Sequence, residues 1–221
     1  MASYIHLIRH GITEGIQRKC FYGWKDLPVV EEGFEELEKF KAEGVYPQFD
    51  MEDAQFFVSG LVRTMQTLKC IYGDVDYTIN EKLKEINFGD WEGKKMDAVP
   101  REEMQGWANA LRGFRFPNGE CFHDIDKRVQ RLLDTLDDDG EFRFPNGDSM
   151  LSFAARIREG MEEVVGLHRM KELSHRHSGK DAVTVVVCHG GTIAGTMETW
   201  FPGQKQYFMN WTLRPNFCVF A

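Results

Sequence analysis

Three short apolar runs, separated by amphipathic stretches, constrain the fold of this chain more than any other feature. The runs are rich in β-branched or aromatic residues and read YIHLI (4–8), AQFFV (54–58) and AVTVVVC (182–188). Such runs are typical of strands buried on both faces. Strands that alternate with helices form parallel sheets with helices packed on both sides. The sequence therefore predicts an α/β fold, a doubly wound, mainly parallel sheet flanked by helices.

Two stretches between these runs have helical periodicity. Residues 31–44 and 61–73 repeat an apolar side chain every three or four positions, and they end at Gly44 and Gly73. A glycine just past the last helical residue is a common helix-ending signal. The predicted apolar faces consist of Phe34, Leu37 and Phe40 in the first stretch and Leu61, Met65, Leu68 and Ile71 in the second.

The length of 221 residues fits one α/β domain with an elaborated subdomain. We expect a single domain over residues 1–221. The segment at about 94–178 has no convincing strand pattern, and we interpret it as a helical cap insertion together with one helix that packs on the sheet. A polar loop at 173–182 would then return the chain to the last strand.

Composition restricts the partners that this chain can have. The net charge of −8 argues against nucleic acid, which normally needs a basic face. Five cysteines without a C-x-x-C pair indicate reduced thiols in a cytoplasmic protein rather than a disulfide framework or a zinc site. Without a run of 18 apolar residues, we expect neither a signal peptide nor a membrane span. A small molecule is the expected partner, and the oligomeric state stays open.

Each predicted strand runs directly into residues that suit an anionic ligand. In open α/β sheets the ligand site lies at the carboxyl ends of the strands. Two histidines and two arginines, far apart in sequence, should therefore meet in one crevice. The loops are Arg9-His10-Gly11 after the first strand, Ser59-Gly60 with Arg63 one helical turn on after the second, and His189-Gly190-Gly191 after the third.

These residue types suit phosphate chemistry. Arginine offers permanently charged, bidentate donors, so Arg9 and Arg63 are predicted phosphate ligands. Ser59, Gly190 and the amides that begin the helix after Ser59 are further candidate donors. Of two imidazoles around a phosphate, one can attack phosphorus because its neutral ring presents a lone pair near pH 7. The other can stabilise the equatorial oxygens, and water can cleave the labile N–P bond.

A phosphomonoester also needs a proton donor for its leaving oxygen. The segment LKEINFGDWEG (83–93) offers Glu85 and Glu92. We favour Glu85, because its apolar neighbours Leu83, Ile86 and Phe88 would favour the neutral, proton-carrying form of the carboxyl group. Glu92, in the triplet WEG, is interpreted as a loop-shaping residue.

Five segments carry a resemblance to a known family. LIRHGITEG, VSGLVRTMQT, LKEINFGDWEG, FPNGDS with a following arginine, and VVVCHGGTI occur here in the order seen in the histidine phosphatase (phosphoglycerate mutase-like) superfamily. The resemblance runs from about Tyr4 to Ile193. It implies a doubly wound α/β fold and a reaction without a metal ion or other cofactor.

Residue by residue, the resemblance implies His10 as the phosphorylated nucleophile and Glu85 as the general acid. Arg9, Arg63 and His189 would complete the phosphate pocket. The chain departs from the family pattern at two positions. Relatives often have Glu after RHG and Asn three residues after the Thr of RHG-x-T, and this chain has Ile12 and Ile16 there. Whether Ile16 weakens the phosphate pocket stays open.

The family contains both phosphatases and mutases. Its cofactor-dependent mutases carry a long insertion after the region that corresponds to WEG, whereas residues 91–107 here are short and acidic. We therefore favour a metal-independent phosphomonoesterase that hydrolyses a small phosphorylated metabolite. A cofactor-dependent phosphoglycerate mutase and a non-catalytic phosphate-ester binding protein are the alternatives.

The hexapeptide FRFPNG occurs twice, at 114–119 and 142–147, and each copy precedes a helix-like stretch. Relatives have a single such element. Arg115 and Arg143 resemble the position that contacts a second phosphate in the fructose-bisphosphatase branch, and which copy contacts substrate stays open. We expect Asp148 and Ser149 of the second copy to occupy the ordinary framework position. The tentative specificity residues are Arg115, Arg143, Tyr22 and Gly23.

Overall fold

A computed structural model of the protein describes residues 2–105, 143–200 and 216–220. Within these residues one five-stranded sheet has the strand order β3-β2-β4-β1-β5. The first four strands are mutually parallel where they pair, and the fifth is antiparallel to β1. The prediction of a mainly parallel sheet is confirmed. The strands are β1 (Ser3–Arg9), β2 (Ala54–Val58), β3 (Thr78–Ile79), β4 (Ala182–Cys188) and β5 (Asn216–Phe220).

Helices follow the strands in the order expected of an α/β fold. The two glycine-terminated helices are confirmed, since α2 and α3 end just before Gly44 and Gly73, whose φ angles are 70° and 81°. These angles are open to glycine at little cost. The described α-helices are α1 (Glu14–Gln17), α2 (Glu31–Ala42), α3 (Val62–Tyr72), α4 (Met150–His175) and α5 (Gly190–Trp200).

The sheet carries a hydrophobic cluster on each face. Alternate side chains of β4 point in opposite directions, as in any strand. Val183, Val185 and Val187 belong to the cluster that contains Leu37 of α2 and Leu68 of α3. Val186 and Cys188 belong to the other cluster, with Phe153 and Ile157 of α4 and Ile193 of α5. The sheet is therefore covered on both sides, which is the doubly wound arrangement.

Three details differ from the sequence prediction. The strands β3 and β5 were not predicted, and α4 extends to His175, into the segment predicted to be a polar loop. The helix α4 is the expected sheet-packing helix, but the cap boundary at about 94–178 stays a prediction, because residues 106–142 lie outside the described part of the chain. His168 belongs to the core, where its two ring nitrogens contact Ser3 Oγ and Thr184 Oγ1, both at 2.8 Å.

Candidate active site

The ends of three adjacent strands bring the predicted site residues together. Strand β4 lies between β1 and β2, and the register pairs Arg9 with Cys188 and Val58 with Val187. The residues that follow these pairs therefore emerge side by side at one edge of the sheet. The ring centroids of His10 and His189 lie 5.1 Å apart. The expected crevice at the carboxyl ends of the strands is present.

His10 is buried, and one of its ring nitrogens is fixed by the backbone. Nδ1 lies 2.8 Å from the carbonyl oxygen of Gly11. A carbonyl only accepts hydrogen bonds, so Nδ1 carries the proton and Nε2 carries the lone pair. Burial lowers the pKa of His10 well below its usual value, and the positive charges of Arg63 and Arg9 add to this effect. The structure thus presents a neutral imidazole with one free basic nitrogen.

His189 is fixed through its other nitrogen. Its Nε2 lies 2.8 Å from Ser59 Oγ. Its Nδ1 is buried and has no hydrogen-bond partner among the described residues. Burial again lowers the pKa of His189 well below its usual value, and the positive charge of Arg63 adds to this effect. Ser59, predicted as a phosphate ligand, therefore acts in this structure as the partner of a histidine.

Arg63 is fully buried beside the two histidines. Its guanidinium donates to the carbonyl of Gly23 at 2.6 Å and to that of Lys25 at 3.1 Å. Its Nε, and the Nε of Arg9, are buried without a hydrogen-bond partner among the described residues. Buried donors are normally satisfied. Two charged groups with open N–H positions next to His10 are an arrangement that an oxyanion would satisfy.

The amides at the start of α3 are engaged elsewhere. The Leu61 amide donates to Ser59 Oγ at 3.4 Å, and the Val62 amide donates to Asp26 Oδ1 at 2.8 Å. Both donors are satisfied within the protein. The part of these two amides in the anion pocket stays a prediction, which would require them to exchange these partners for the anion. Gly190 begins α5 directly after His189, and its role as a phosphate ligand stays a prediction.

Glu85 lies against the start of α5. Its Oε2 accepts a hydrogen bond from the Gly191 amide at 2.8 Å, and its Oε1 accepts one from the Ile86 amide at 3.0 Å. A Cβ atom at position 191 would overlap the Glu85 carboxylate. Glycine at this position therefore allows the carboxylate to approach the helix that follows His189. The structure brings Glu85 to the edge of the crevice formed by the two histidines.

Glu92 organises a loop and takes no place in the crevice. Its carboxylate accepts hydrogen bonds from the amides of Gly23, Trp24, Lys25 and Phe88 at 2.9–3.1 Å. The same loop offers its carbonyls to Arg63. The interpretation of Glu92 as a loop-shaping residue agrees with these contacts, and the loop that it shapes supports a predicted phosphate ligand.

Tyr22 and Gly23 lie at the site, as the tentative specificity prediction requires. The Tyr22 ring is 6.3 Å from the His10 ring and 5.1 Å from the Arg63 guanidinium carbon. The ring occupies space that any side chain at Gly15 would fill. A Cβ at Gly23 would overlap the carbonyl oxygen of Ile86. Both residues therefore border the crevice, and their part in substrate choice stays a prediction.

The second FRFPNG copy forms a turn that packs on the segment containing Glu92. Phe144 is buried in the core cluster, and the Pro145 carbonyl accepts from the Asp90 amide at 2.6 Å. Ser149 then caps α4 by accepting from the Ser152 amide at 3.1 Å. Arg143 is exposed and donates to Gly147 within its own turn at 3.5 Å. The first copy, with Arg115, lies outside the described residues.

Sequence reasoning pointed to Trp24, Asp148 and Arg156 without predicting their contacts with the segment that carries Glu85. Trp24 donates through its indole nitrogen to the Glu85 carbonyl at 3.1 Å. Arg156 donates to the same carbonyl at 3.0 Å and to Asp148 at 2.7 Å. The sequence signal for the last pair was an acid just before a predicted helix and a base eight positions later, within that helix. That signal indicates proximity without indicating what the pair holds.

The described part of the chain contains neither a candidate metal site nor a candidate membrane-spanning helix. Across residues 2–105 and 143–200, no group of three His, Cys, Asp or Glu side chains is arranged to hold a metal ion. The helices of the same residues include none that is long and apolar enough to cross a membrane. Cys20, Cys70 and Cys188 are unpaired thiols.

A family model covers the crevice residues that precede α4, whereas His189 lies beyond the matched range. The model of the histidine phosphatase superfamily (branch 1) matches residues 5–141. The chain therefore belongs to the histidine phosphatase superfamily, and the resemblance seen in the motifs is confirmed.

Individual relatives share less of the chain. The proteins named "Probable phosphoglycerate mutase GpmB" of Yersinia pestis (strain Pestoides F) and of Yersinia pseudotuberculosis (serotype O:1b, strain IP 31758) are each 28% identical over 141 residues, 59% of this chain. The match spans 61% of the length of these relatives.

Solved structures confirm the fold. The phosphoglycerate mutase from Thermus thermophilus is 22% identical, with a TM-score of 0.55 over 88% of this chain and 82% of its own. The alpha-ribazole phosphatase from Shigella flexneri is 19% identical, with a TM-score of 0.56 over 86% of this chain and 76% of its own. At these identities the likeness concerns the fold alone.

Proposed function

We propose that the protein is a phosphomonoesterase that hydrolyses a small phosphorylated metabolite through a phosphohistidine at His10, without a metal ion. One observation supports this proposal above the others. The buried Nε groups of Arg9 and Arg63 and the buried Nδ1 of His189 have no partner among the described residues. All three residues are neighbours of His10, whose Nε2 carries a lone pair. A phosphoryl group would satisfy the donors while it is attacked by the lone pair.

In the first step, Nε2 of His10 attacks phosphorus and the P–O ester bond breaks. The leaving oxygen takes a proton from the carboxyl group of Glu85, so the products are an alcohol and a Glu85 carboxylate. The phosphorylated ring gains positive character, and the hydrogen bond from Nδ1 to the Gly11 carbonyl stabilises it. Arg9, Arg63 and His189 stabilise the negative charge on the equatorial oxygens.

In the second step, the Glu85 carboxylate accepts a proton from water while the water oxygen attacks phosphorus. The N–P bond breaks, which returns the neutral His10 ring and releases inorganic phosphate. Glu85 is protonated again and ready for the next ester. The two steps balance without an added cofactor.

A phosphoglycerate mutase is the second candidate function. The names of the curated Yersinia relatives favour it. The short, acidic segment at 91–107 favours the phosphatase, since a mutase must keep water from its phosphoenzyme. A protein that binds phosphate esters without turnover is the third candidate.

A phosphate-release assay on a panel of small esters tests the proposal. The panel contains sugar phosphates, phosphoglycerates, nucleoside monophosphates and phosphoamino acids, each with and without EDTA. We expect release of phosphate from at least one ester, unchanged by EDTA. A mutase would instead need priming by a bisphosphoglycerate and return an isomer. A binding protein would release no phosphate, yet its ligands would raise its melting temperature.

The remaining expectations are proposals of the same kind. We expect neither nucleic acid nor a membrane as partner, because the net charge is −8 and the site is built for a small anion. The cytoplasmic location expected from unpaired cysteines stays a prediction.

A further inference from the structure

The segment that carries Glu85 is held by the side chain of one arginine. A 3-10 turn at Glu81–Leu83 precedes Glu85. The Arg156 guanidinium, on α4, donates to the carbonyls of Lys82 at 3.1 Å and Lys84 at 2.7 Å through one nitrogen. It donates to the Glu85 carbonyl at 3.0 Å through another. Three carbonyls of the segment that ends at the predicted acid thus accept hydrogen bonds from one guanidinium.

This guanidinium is itself fixed by Asp148. The two charged groups lie 2.7 Å apart, and only 18% of the Arg156 side chain and 17% of the Asp148 side chain are exposed. The same Asp148 oxygen accepts the Asn87 amide at 2.8 Å. The Arg156–Asp148 pair therefore forms hydrogen bonds with the backbone on both sides of Glu85. A mostly buried pair with several planar donors in use is a rigid support rather than a loose surface contact.

The pair also connects the acid to the loop of residues 22–25, whose carbonyls accept from Arg63. Trp24 donates to the same Glu85 carbonyl at 3.1 Å, and the Arg156 guanidinium carbon lies 5.6 Å from the Trp24 ring centroid. Trp24 belongs to the loop whose carbonyls bind Arg63 and whose amides bind Glu92. The arrangement sets the position of the acid relative to the phosphate ligand.

We propose that Arg156, held by Asp148, is a positioning residue that aims Glu85 at the leaving group of the ester. The inference rests on the proposed phosphomonoesterase function. It assigns a role to the helix that follows the second FRFPNG copy, namely to deliver this arginine. Arg156 touches neither the phosphoryl group nor the reacting atoms in this scheme.

Esters with different leaving groups distinguish a positioning role of Arg156 from a merely structural one. An alkyl phosphate needs a proton donor for its leaving oxygen, whereas p-nitrophenyl phosphate leaves as a stable anion and depends little on an acid. A misplaced Glu85 therefore slows the first step, which kcat/KM reports, for the alkyl ester alone. The second step, in which Glu85 accepts a proton from water, is common to both esters. A general loosening of the fold harms both esters equally.

The experiment measures kcat/KM for the alkyl ester of the panel that is hydrolysed fastest and for p-nitrophenyl phosphate in the full chain. The variants are Arg156→Gln, Arg156→Lys and Glu85→Gln, with Arg169→Gln as the matched control, since Arg169 is an exposed arginine of the same helix. We expect Arg156→Gln to lower kcat/KM for the alkyl ester by about 10- to 100-fold, the scale of a misplaced catalytic group. For the aryl ester we expect a change of no more than about threefold.

The lysine variant keeps the charge but cannot span three carbonyls with a planar fork, so it should resemble Arg156→Gln. In the Glu85→Gln background, Arg156→Gln should add little, because the two residues act through one group. Equal losses on both esters, or full additivity with Glu85→Gln, would overturn the positioning role and leave the proposed function standing. A wild-type protein that releases phosphate from no ester of the panel would overturn both.

Discussion

The ends of β1 and β4 look alike in sequence and differ in what they present. Each strand is followed by a histidine and a glycine, and both rings are buried with a lowered pKa. At the end of β1, Nδ1 of His10 is bound to a backbone carbonyl, which leaves Nε2 basic. At the end of β4, Nε2 of His189 is bound to the Ser59 hydroxyl, and Nδ1 is left without a partner among the described residues.

The difference shows that the second nitrogen of a histidine decides its role. A carbonyl partner can only accept, so it fixes one tautomer and makes His10 a constant nucleophile. A hydroxyl partner can donate or accept, so His189 can adapt its proton to a ligand. We therefore assign attack to His10 and stabilisation of the phosphoryl oxygens to His189.

The largest expected effect is the loss of activity in His10→Ala. Without the nucleophile, no phosphoenzyme forms, and kcat should fall on the order of 10⁴-fold or more. Phosphate release measures the loss, and rapid acid-free quenching of a labelled ester measures the phosphohistidine. Turnover that survives this substitution would remove the proposed mechanism.

The next effect separates the two histidines. His189→Gln should lower kcat on the order of 10²–10³-fold, the usual loss when one donor to a developing oxyanion is removed. The same labelling experiment should still find phosphate on His10, formed slowly. If the label persists in His10→Ala and disappears in His189→Gln, the two roles are reversed.

A smaller effect is expected from Ser59→Ala, which removes the partner that distinguishes His189. A hydrogen bond contributes about 1 kcal/mol, so kcat/KM should fall by about 5- to 10-fold. Ser174→Ala, at an exposed serine of α4, is the matched control and should leave kcat/KM unchanged. A loss as large as that of His189→Gln would show that Ser59 contacts the phosphate directly.

The last effect concerns the pH dependence of stability, to which both histidines contribute in the same direction. Their folded pKa values lie well below the value of 6.5 expected in the unfolded chain. As pH falls below that value, the unfolded chain binds more protons, so the free energy of unfolding decreases by at most about 1.4 kcal/mol per pH unit for each histidine. Above it, this contribution is fully present.

Urea unfolding of the ligand-free protein at several pH values between about 5 and 7.5 measures this slope. The double variant His10→Gln, His189→Gln should have a flatter profile than the wild type. Some slope should remain, because burial also lowers the pKa of His168 in the core. Identical slopes in the two proteins would show that the site histidines are not held in the neutral form.

The strands that form the site were readable from the sequence because they are buried on both faces. Continuous apolar runs predict β1, β2 and β4, and the glycines after α2 and α3 indicate where these helices end. The strand β3 could not be predicted because it consists of only two exposed residues, Thr78 and Ile79. No periodicity can be read from so short a segment.

The positions of site residues were predictable only where they follow a strand directly. Once β1 and β4 are neighbours, His10 and His189 must meet. Glu92 accepts hydrogen bonds from four amides, and Arg156 donates to three carbonyls. Both sets of contacts form only because loops fold back on residues that are distant in sequence. Backbone groups carry no sequence signature, so side chains that bind them are not evident before the fold is known.

The central position of β1 also affects how the protein is made. This strand pairs with β4 through Ser3 and Ala182 on one edge, and with β5 through Tyr4 and Phe220 on the other. The residues of β1 are thus synthesised long before those of β4 and β5, the two strands with which they pair. Both edges of an apolar strand stay uncovered in the meantime, which exposes the nascent chain to aggregation and makes chaperone binding to residues 3–9 advantageous during synthesis.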